Sequence, residues 1–364
     1  MKQFQLITLL LIISILMHAQ NNTYSFLIGT YTQNTTAKGI YSLKMNGNVA
    51  PKTQLLAELE NPSFISFSSD KKFVYAINQN ENKSAVSAYR FVDDKLVFLN
   101  RVCFDTNVGS CHVSVSQQHV MVANYGAGSV FVVGLNKDGS LTELVQKVQH
   151  SGSSIQLDRQ EKAHAHQAVF SPDYKFLLVN DLGVDKVYVY KYDHLNTSTP
   201  LTLSQEFSVK PGSGPRHLTF NKSGKIAYLL QELDGTVSVL CFKKGQLSLV
   251  SSSTVVRKSD IKTVAADIHL SSDEKFLYAT NRGTANDITC FKVARNGVLT
   301  FVQQVSVEGN GPRNFAISAD GKLALVGNQY THTVTVFNRN TKTGMLNFSN
   351  LKVDLGSPVC ILEY

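Results

Sequence analysis

One short pattern returns six times along this chain: a hydrophobic segment ending in a Ser/Asp/Gly turn, a second hydrophobic segment, and an Asn or Gln where that segment stops. The equivalent turn anchors are Phe67, Val115, Phe170, Phe220, Leu270 and Ile317, separated by 48, 55, 50, 50 and 47 residues. A period of this length belongs to a radial or linear array of small units. Equivalent positions in a ring of repeats face one axis, so polar residues recurring at one repeat position converge in space.

In residues 263–302, a specimen repeat, 266–270, 276–280, 288–293 and 298–305 read as strands, and four antiparallel strands make a propeller blade. Asp-Gly at 138 and 320, Asn-Gly at 296, Ser-Gly at 223 and Ser-Pro-Asp at 171–173 supply the backbone freedom or preset bend of tight reversals. No long stretch spaces its apolar residues as a helix does, so almost no helix is expected. Full blades run over 61–108, 109–159, 160–209, 210–262, 263–308 and 309–355. Residues 24–60 match the second, third and fourth strands of a repeat, and 357–364 match a first strand alone. The fold class expected is therefore all-β: a seven-bladed β-propeller of four-stranded antiparallel blades, closed by the C-terminal strand pairing innermost with the N-terminal strands. Closure hides edges that would otherwise invite aggregation. The absence of tryptophan rules out the WD signature. The longest insertion, 149–163, is rich in Ser, Gln and charge and is expected to be a mobile loop on one face, as readily a harmless insertion as a cover over a site.

A chain of 364 residues ordinarily suggests two or three domains, and the repeat overrides that prior. The division expected is 1–20, a secretory signal peptide, and 21–364, a single propeller domain. Lys2, an apolar run over 6–17 and the small residue Ala19 carry the export reading, and the run is short for a membrane span. Export to the periplasm follows, with no stable membrane insertion once the signal is cleaved. The net charge of +8 comes from scattered lysines with no run longer than a pair, which describes a solvated basic surface and not a nucleic-acid stripe. Five cysteines, Cys103, Cys111, Cys241, Cys290 and Cys360, show no metal-ligand spacing, and one is unpaired whatever the pairing.

Four residues before each anchor, the repeats carry Ser63, Cys111, His166, Arg216, Ala266 and Arg313. Just after the Asn or Gln that ends the second strand they carry Gln79, Tyr125, Asp181, Glu232, Arg282 and Gln329. The first strand begins and the second ends on the same face, so both registers surround one mouth of the central channel. Arginine forks suit an anionic substrate or a developing oxyanion, Glu232 suits a base that activates water, and His166 suits proton transfer near neutral pH. The expected catalytic set is His166, Arg216, Glu232 and Arg282, with Arg313, His164, Asp181 and Tyr125 binding substrate. No metal and no cofactor is expected: the pair His164 and His166 would find a third ligand only in Asp181. His112, His217 and His269 read as structural or rim residues.

Ala-His-Ala-His-Gln-Ala-Val-Phe-Ser-Pro-Asp at 163–173 and Gly-Pro-Arg-His-Leu-Thr-Phe at 214–220 resemble the seven-bladed lactonase family, which contains propeller-type 6-phosphogluconolactonases and carboxymuconate lactonizing enzymes. Leu-Ile-Gly-Thr-Tyr-Thr near the start, Ala-Asn-Tyr-Gly-Ala-Gly-Ser-Val at 123–130 and Ala-Thr-Asn-Arg-Gly at 279–283 extend the likeness over 24–364. The family's order of histidine, arginine, glutamate and arginine falls on His166, Arg216, Glu232 and Arg282. The resemblance implies hydrolysis of a sugar δ-lactone by a metal-independent enzyme acting on a small anionic lactone. A cycloisomerase that lactonizes a muconate-type dicarboxylate, and a non-catalytic periplasmic ring that binds a ligand or protein, are the alternatives.

Overall fold

A computed structural model describes residues 23–364 except 47, 48, 105 and 107; the expected signal segment 1–20 lies outside the described residues. The described residues form twenty-eight strands and no helix. These make seven four-stranded antiparallel sheets, the seven-bladed propeller that the period predicts. In the specimen repeat the strands are Ala265–Leu270, Phe276–Asn281, Asp287–Val293 and Leu299–Ser306, within a residue or so of the expected bounds. The closing blade sets Pro358–Glu363 beside Thr23–Thr30, Gly39–Asn46 and Val49–Glu58, so the last strand of the chain is the innermost of that sheet.

The recurring Ser-x-Asp of the turns has a direct local cause. Ser171 Oγ donates to Asp173 Oδ1 at 2.7 Å, and Phe176 N donates back to Ser171 Oγ at 3.1 Å, which closes the reversal with side chains. Ser68, Ser271 and Ser318 repeat the bond to Asp70, Asp273 and Asp320 at 2.6–2.7 Å. Between blades the contact is apolar: seven hydrophobic clusters each draw on two neighbouring blades, as Leu178, Val189, Leu229 and Leu240 do between the third and fourth full blades. Hairpin glycines fit this seam. Gly245 has φ +76 and lies against the Phe176 ring of the preceding blade, where a Cβ would meet the ring at 2.3 Å.

Two features of the innermost strands position the channel. Their pairing slips at one place, so that Cys111, His166, Arg216 and Arg313 are each skipped by the partner strand. A bulged residue is released from the pleat and its side chain can be re-aimed. In several repeats the next residue latches adjacent blades together. Gln167 Oε1 accepts from Leu218 N at 2.7 Å, Asp267 Oδ2 from Phe315 N at 3.2 Å, and Asn314 Oδ1 from Ile361 N at 2.6 Å. These bonds cross between inner strands of neighbouring blades and satisfy buried amides that the sheets leave over.

All five cysteines carry free thiols. Cys290 is buried, whereas Cys241 is only partly covered.

Candidate active site

The bulges and the ends of the second strands bring a dense charge cluster to one mouth of the channel. Glu232 follows the strand Ile226–Gln231 and is buried. Its Oε2 accepts from Arg216 Nε at 2.9 Å and lies 3.2 Å from Arg282 Nη2, while Oε1 accepts from Arg159 Nη2 at 2.6 Å. Two of these guanidiniums are tied to backbone as well: Arg216 donates to the Ala266 carbonyl, and Arg282 Nε to the Val264 carbonyl at 3.1 Å. Burial alone would raise the Glu232 carboxyl, but Arg282, Arg216 and Arg159 together outweigh it and hold it down at about 2. Arg216 is pushed the other way, to about 9, by burial first and then by Arg282 and Arg313, and it remains charged at neutral pH.

Arg313 completes the cluster differently. Its guanidinium lies over the Tyr31 ring at 5.4 Å and makes no hydrogen bond to a described residue. A charged fork without a protein acceptor is the group a substrate oxygen can occupy. Three guanidiniums thus share one carboxylate with a fourth nearby, and the mouth carries an excess of positive charge.

His166 sits beside this cluster, buried, 5.7 Å from the Tyr125 ring and 5.3 Å from the His217 ring. Neither ring nitrogen is hydrogen-bonded to a described residue, and Nδ1 is fully enclosed. Burial, then Arg216, His217, Arg313 and Arg282, drive its pKa well below the ordinary histidine value. The expectation of a histidine titrating near neutral pH is therefore corrected: burial first, and then the neighbouring arginines, oppose a proton on this ring and favour the neutral imidazole.

The structure brings together His166, Arg216, Glu232, Arg282 and Arg313, with Tyr125 beside them. It does not bring in Asp181 or His164. Asp181 Oδ1 accepts from His164 N at 2.7 Å and Gly183 N at 3.0 Å, and Oδ2 lies 2.7 Å from His150 Nδ1. Both oxygens are committed to holding the chain around it, so its expected substrate contact is withdrawn. His164 stacks on Tyr125 with ring centroids 4.3 Å apart, and its two ring nitrogens face Tyr125 O at 2.9 Å and Glu161 Oε2 at 3.1 Å. It supports Tyr125 and offers no free nitrogen to a substrate. Among the described residues no group of three His, Cys, Asp or Glu side chains is arranged to hold a metal ion.

Two residues escaped the repeat analysis. Tyr31 follows Thr23–Thr30, the second strand of the closing blade, and is the seventh member of the register that holds Tyr125 and Glu232. Extending the alignment to the split blade finds it. Arg159 comes from the insertion, which has no repeat equivalent, and only the folded chain reveals it. His112 and His217 form a further layer behind His166, with His112 Nδ1 and His217 Nε2 unpartnered among described residues. His217 Nδ1 meets Asp267 Oδ1 at 2.8 Å, and Asp267 Oδ2 meets the part-exposed His269 at 2.8 Å.

Known proteins share this architecture and sequence. The family described as "Lactonase, 7-bladed beta-propeller" matches residues 25–363. The 6-phosphogluconolactonase of Bacillus subtilis is 33% identical over 92% of this chain and 96% of its own length. That of Formosa agariphila is 31% identical over 88% and 93%. Among solved structures, the periplasmic gluconolactonase PpgL of Pseudomonas aeruginosa superposes with a TM-score of 0.87 at 32% identity, covering 94% of this chain and 99% of its own. Across the span from residue 25 to residue 363, this chain belongs to the seven-bladed β-propeller lactonases and is an enzyme of the lactone-hydrolysing kind.

Proposed function

We propose that this enzyme hydrolyses a sugar δ-lactone bearing an anionic group, in the manner of a 6-phosphogluconolactonase, and that its catalytic groups are His166, Arg216, Glu232 and Arg282. The observation that carries the reading is the mouth itself: three guanidiniums paired with a single carboxylate and a fourth, Arg313, close by, next to a histidine whose ring nitrogens have no hydrogen-bond partner among the described residues. Arg282 polarises the lactone carbonyl and stabilises the oxyanion that forms on it, and Arg313 helps to bind the anionic group of the substrate. Glu232 takes a proton from the attacking water as the new carbon–oxygen bond forms. The ring carbon–oxygen bond then breaks, and the departing ring oxygen takes the N–H proton of His166, which recovers one from Glu232. A neutral imidazole can serve as such a donor toward a developing alkoxide. The products are the open hydroxy acid, ionised at neutral pH, and one proton released to solvent.

The relatives named as 6-phosphogluconolactonases favour hydrolysis over lactonization of a dicarboxylate, although the same acid and base could serve either direction. The run over 6–17 and the periplasmic relative support export, which places the substrate outside the cytoplasm.

The test is hydrolysis of glucono-δ-lactone and its 6-phosphate, followed by proton release, with a muconate assayed in parallel. Acceleration of lactone opening above the spontaneous rate is expected. Glu232→Gln is expected to lower kcat by about 100-fold or more, the usual weight of a general base. Lactones opening no faster than in buffer would sink the reading. Since Glu232→Gln also strips Arg216 and Arg282 of their counter-charge, its fold is checked by circular dichroism, and His166→Asn provides an independent loss.

A further inference from the structure

Glu232 cannot act as a base in the state described, because both of its oxygens are occupied by guanidiniums. The three cations are not equivalent. The Arg216 and Arg282 side chains are 1% and 7% exposed and also donate to backbone carbonyls, Arg216 to Ala266 of the neighbouring blade and Arg282 to Val264 of its own. Arg159 is 33% exposed at its side chain, comes from a segment without strand, and alone holds Oε1. Its other polar neighbour is the Tyr125 hydroxyl.

The segment is anchored below that side chain. Gln160, fully buried, donates from Nε2 to the Leu182 carbonyl at 2.8 Å, and Ser154 N donates to the Gln160 carbonyl at 2.9 Å. Gln156 Nε2 donates to the Gly212 carbonyl at 2.9 Å. The insertion is thus a tied turn, although 151–153, 155, 157–158 and 161–162 are exposed. The backbone of the turn is tied by these bonds, whereas the partly exposed Arg159 side chain is held, among the described residues, only by Glu232 and Tyr125.

We infer that Arg159 is a specificity switch: the anionic group of the substrate draws its guanidinium off Glu232 Oε1, and this exchange uncaps the base. The inference rests on the reading of Glu232 as the base. A phosphate or carboxylate on the lactone replaces the carboxylate that Arg159 loses, one charge-assisted bond for another. A neutral lactone supplies no such acceptor, so Glu232 stays capped. Selectivity for anionic lactones then appears in kcat as well as in KM, because substrate binding assembles the base.

The experiment measures kcat and KM of wild type, Arg159→Gln and Arg159→Lys on gluconolactone and on its 6-phosphate, and calorimetric binding of inorganic phosphate to each. Arg159→Gln is expected to lose about tenfold to 100-fold in kcat/KM on the phosphorylated lactone, the weight of a charge-assisted bond, and to gain several-fold in kcat on the neutral one. Misfolding cannot move the two substrates in opposite directions. Inorganic phosphate is expected to accelerate wild-type turnover of the neutral lactone, to bind Arg159→Gln at least about tenfold more weakly, and to bind Arg159→Lys between the two. Equal losses on both lactones, or phosphate affinity unchanged in Arg159→Gln, would overturn the switch. If wild type opens neither lactone, the hydrolase reading fails, and phosphate binding still decides whether Arg159 takes anions.

Discussion

At the scale of single residues, the same side chain type plays two parts, and partners decide which. Arg216 is buried and bound to both Glu232 and a carbonyl, whereas Arg313 has only the Tyr31 ring. Arg216→Ala leaves a buried carboxylate short of its most deeply buried cation and is expected to cost roughly 3–5 kcal/mol of stability, as broken buried pairs do. Arg313→Ala removes no hydrogen bond to a described residue, so its unfolding midpoint in urea should stay near wild type while KM for an anionic lactone rises by about tenfold or more. A matching loss of stability in both variants would contradict the assignment of Arg313 as a free anion binder. Asp181 and Glu232 make the same point for carboxylates. They occupy one repeat position, yet one is spent on His150, His164 and Gly183 and the other on arginines.

At the scale of elements, the bulged inner strand is the unit that turns repetition into a site. Skipping one residue in the ladder frees His166, Arg216 and Arg313, and the residue after the bulge ties the strand to the next blade. Asn314 does this at the ring closure, accepting from Ile361 N and donating to Asp267 Oδ2. Asn314→Ala is expected to destabilise the protein by about 1–3 kcal/mol, because a buried amide and a buried carboxylate both lose a partner. Chemical denaturation reads the loss, and faster amide exchange at Ile361 should accompany it; protection at Ile361 equal to wild type would refute the latch. The strands and turns themselves were legible from local signals such as Ser171 and Asp173. The bulges were not, since a slip in pairing leaves no mark on hydrophobic alternation.

At the scale of the whole molecule, the channel buries more ionisable groups than any blade does alone, and this sets the response to acid. Burial first, then neighbouring charges including Arg216, hold His112 and His166 well below 6.5 and His217 at about 4. The unfolded chain therefore binds protons at these histidines before the native protein does, so stability falls as pH drops below about 6.5. Glu232 and Asp267 have depressed pKa values despite burial, because arginines surround one and His269 and His217 flank the other. Their stabilisation is present above the ordinary carboxylate values and is lost in more acid solution. His269, raised because Asp267 outweighs its burial, opposes the trend, its stabilisation being lost as pH rises through its native pKa. With three histidines against one, Tm is expected to fall from about pH 7 to pH 5, and a flat or rising Tm over that range would contradict neutral buried imidazoles.

The sequence by itself determined the blade count, the closure by the last strand and the registers that ring the channel. Each rests on neighbours a few residues apart, such as the Ser-x-Asp turns, repeated often enough to be read. Tertiary structure decided which members of those registers gather around Glu232, that Tyr31 and Arg159 join them, and that burial and nearby arginines hold the His166 pKa down. Those outcomes depend on charge and burial summed across several blades. Glu232 is the clearest case: its place at the mouth follows from the repeat, while its capped state follows from three arginines that lie 16, 50 and 73 residues away in the chain.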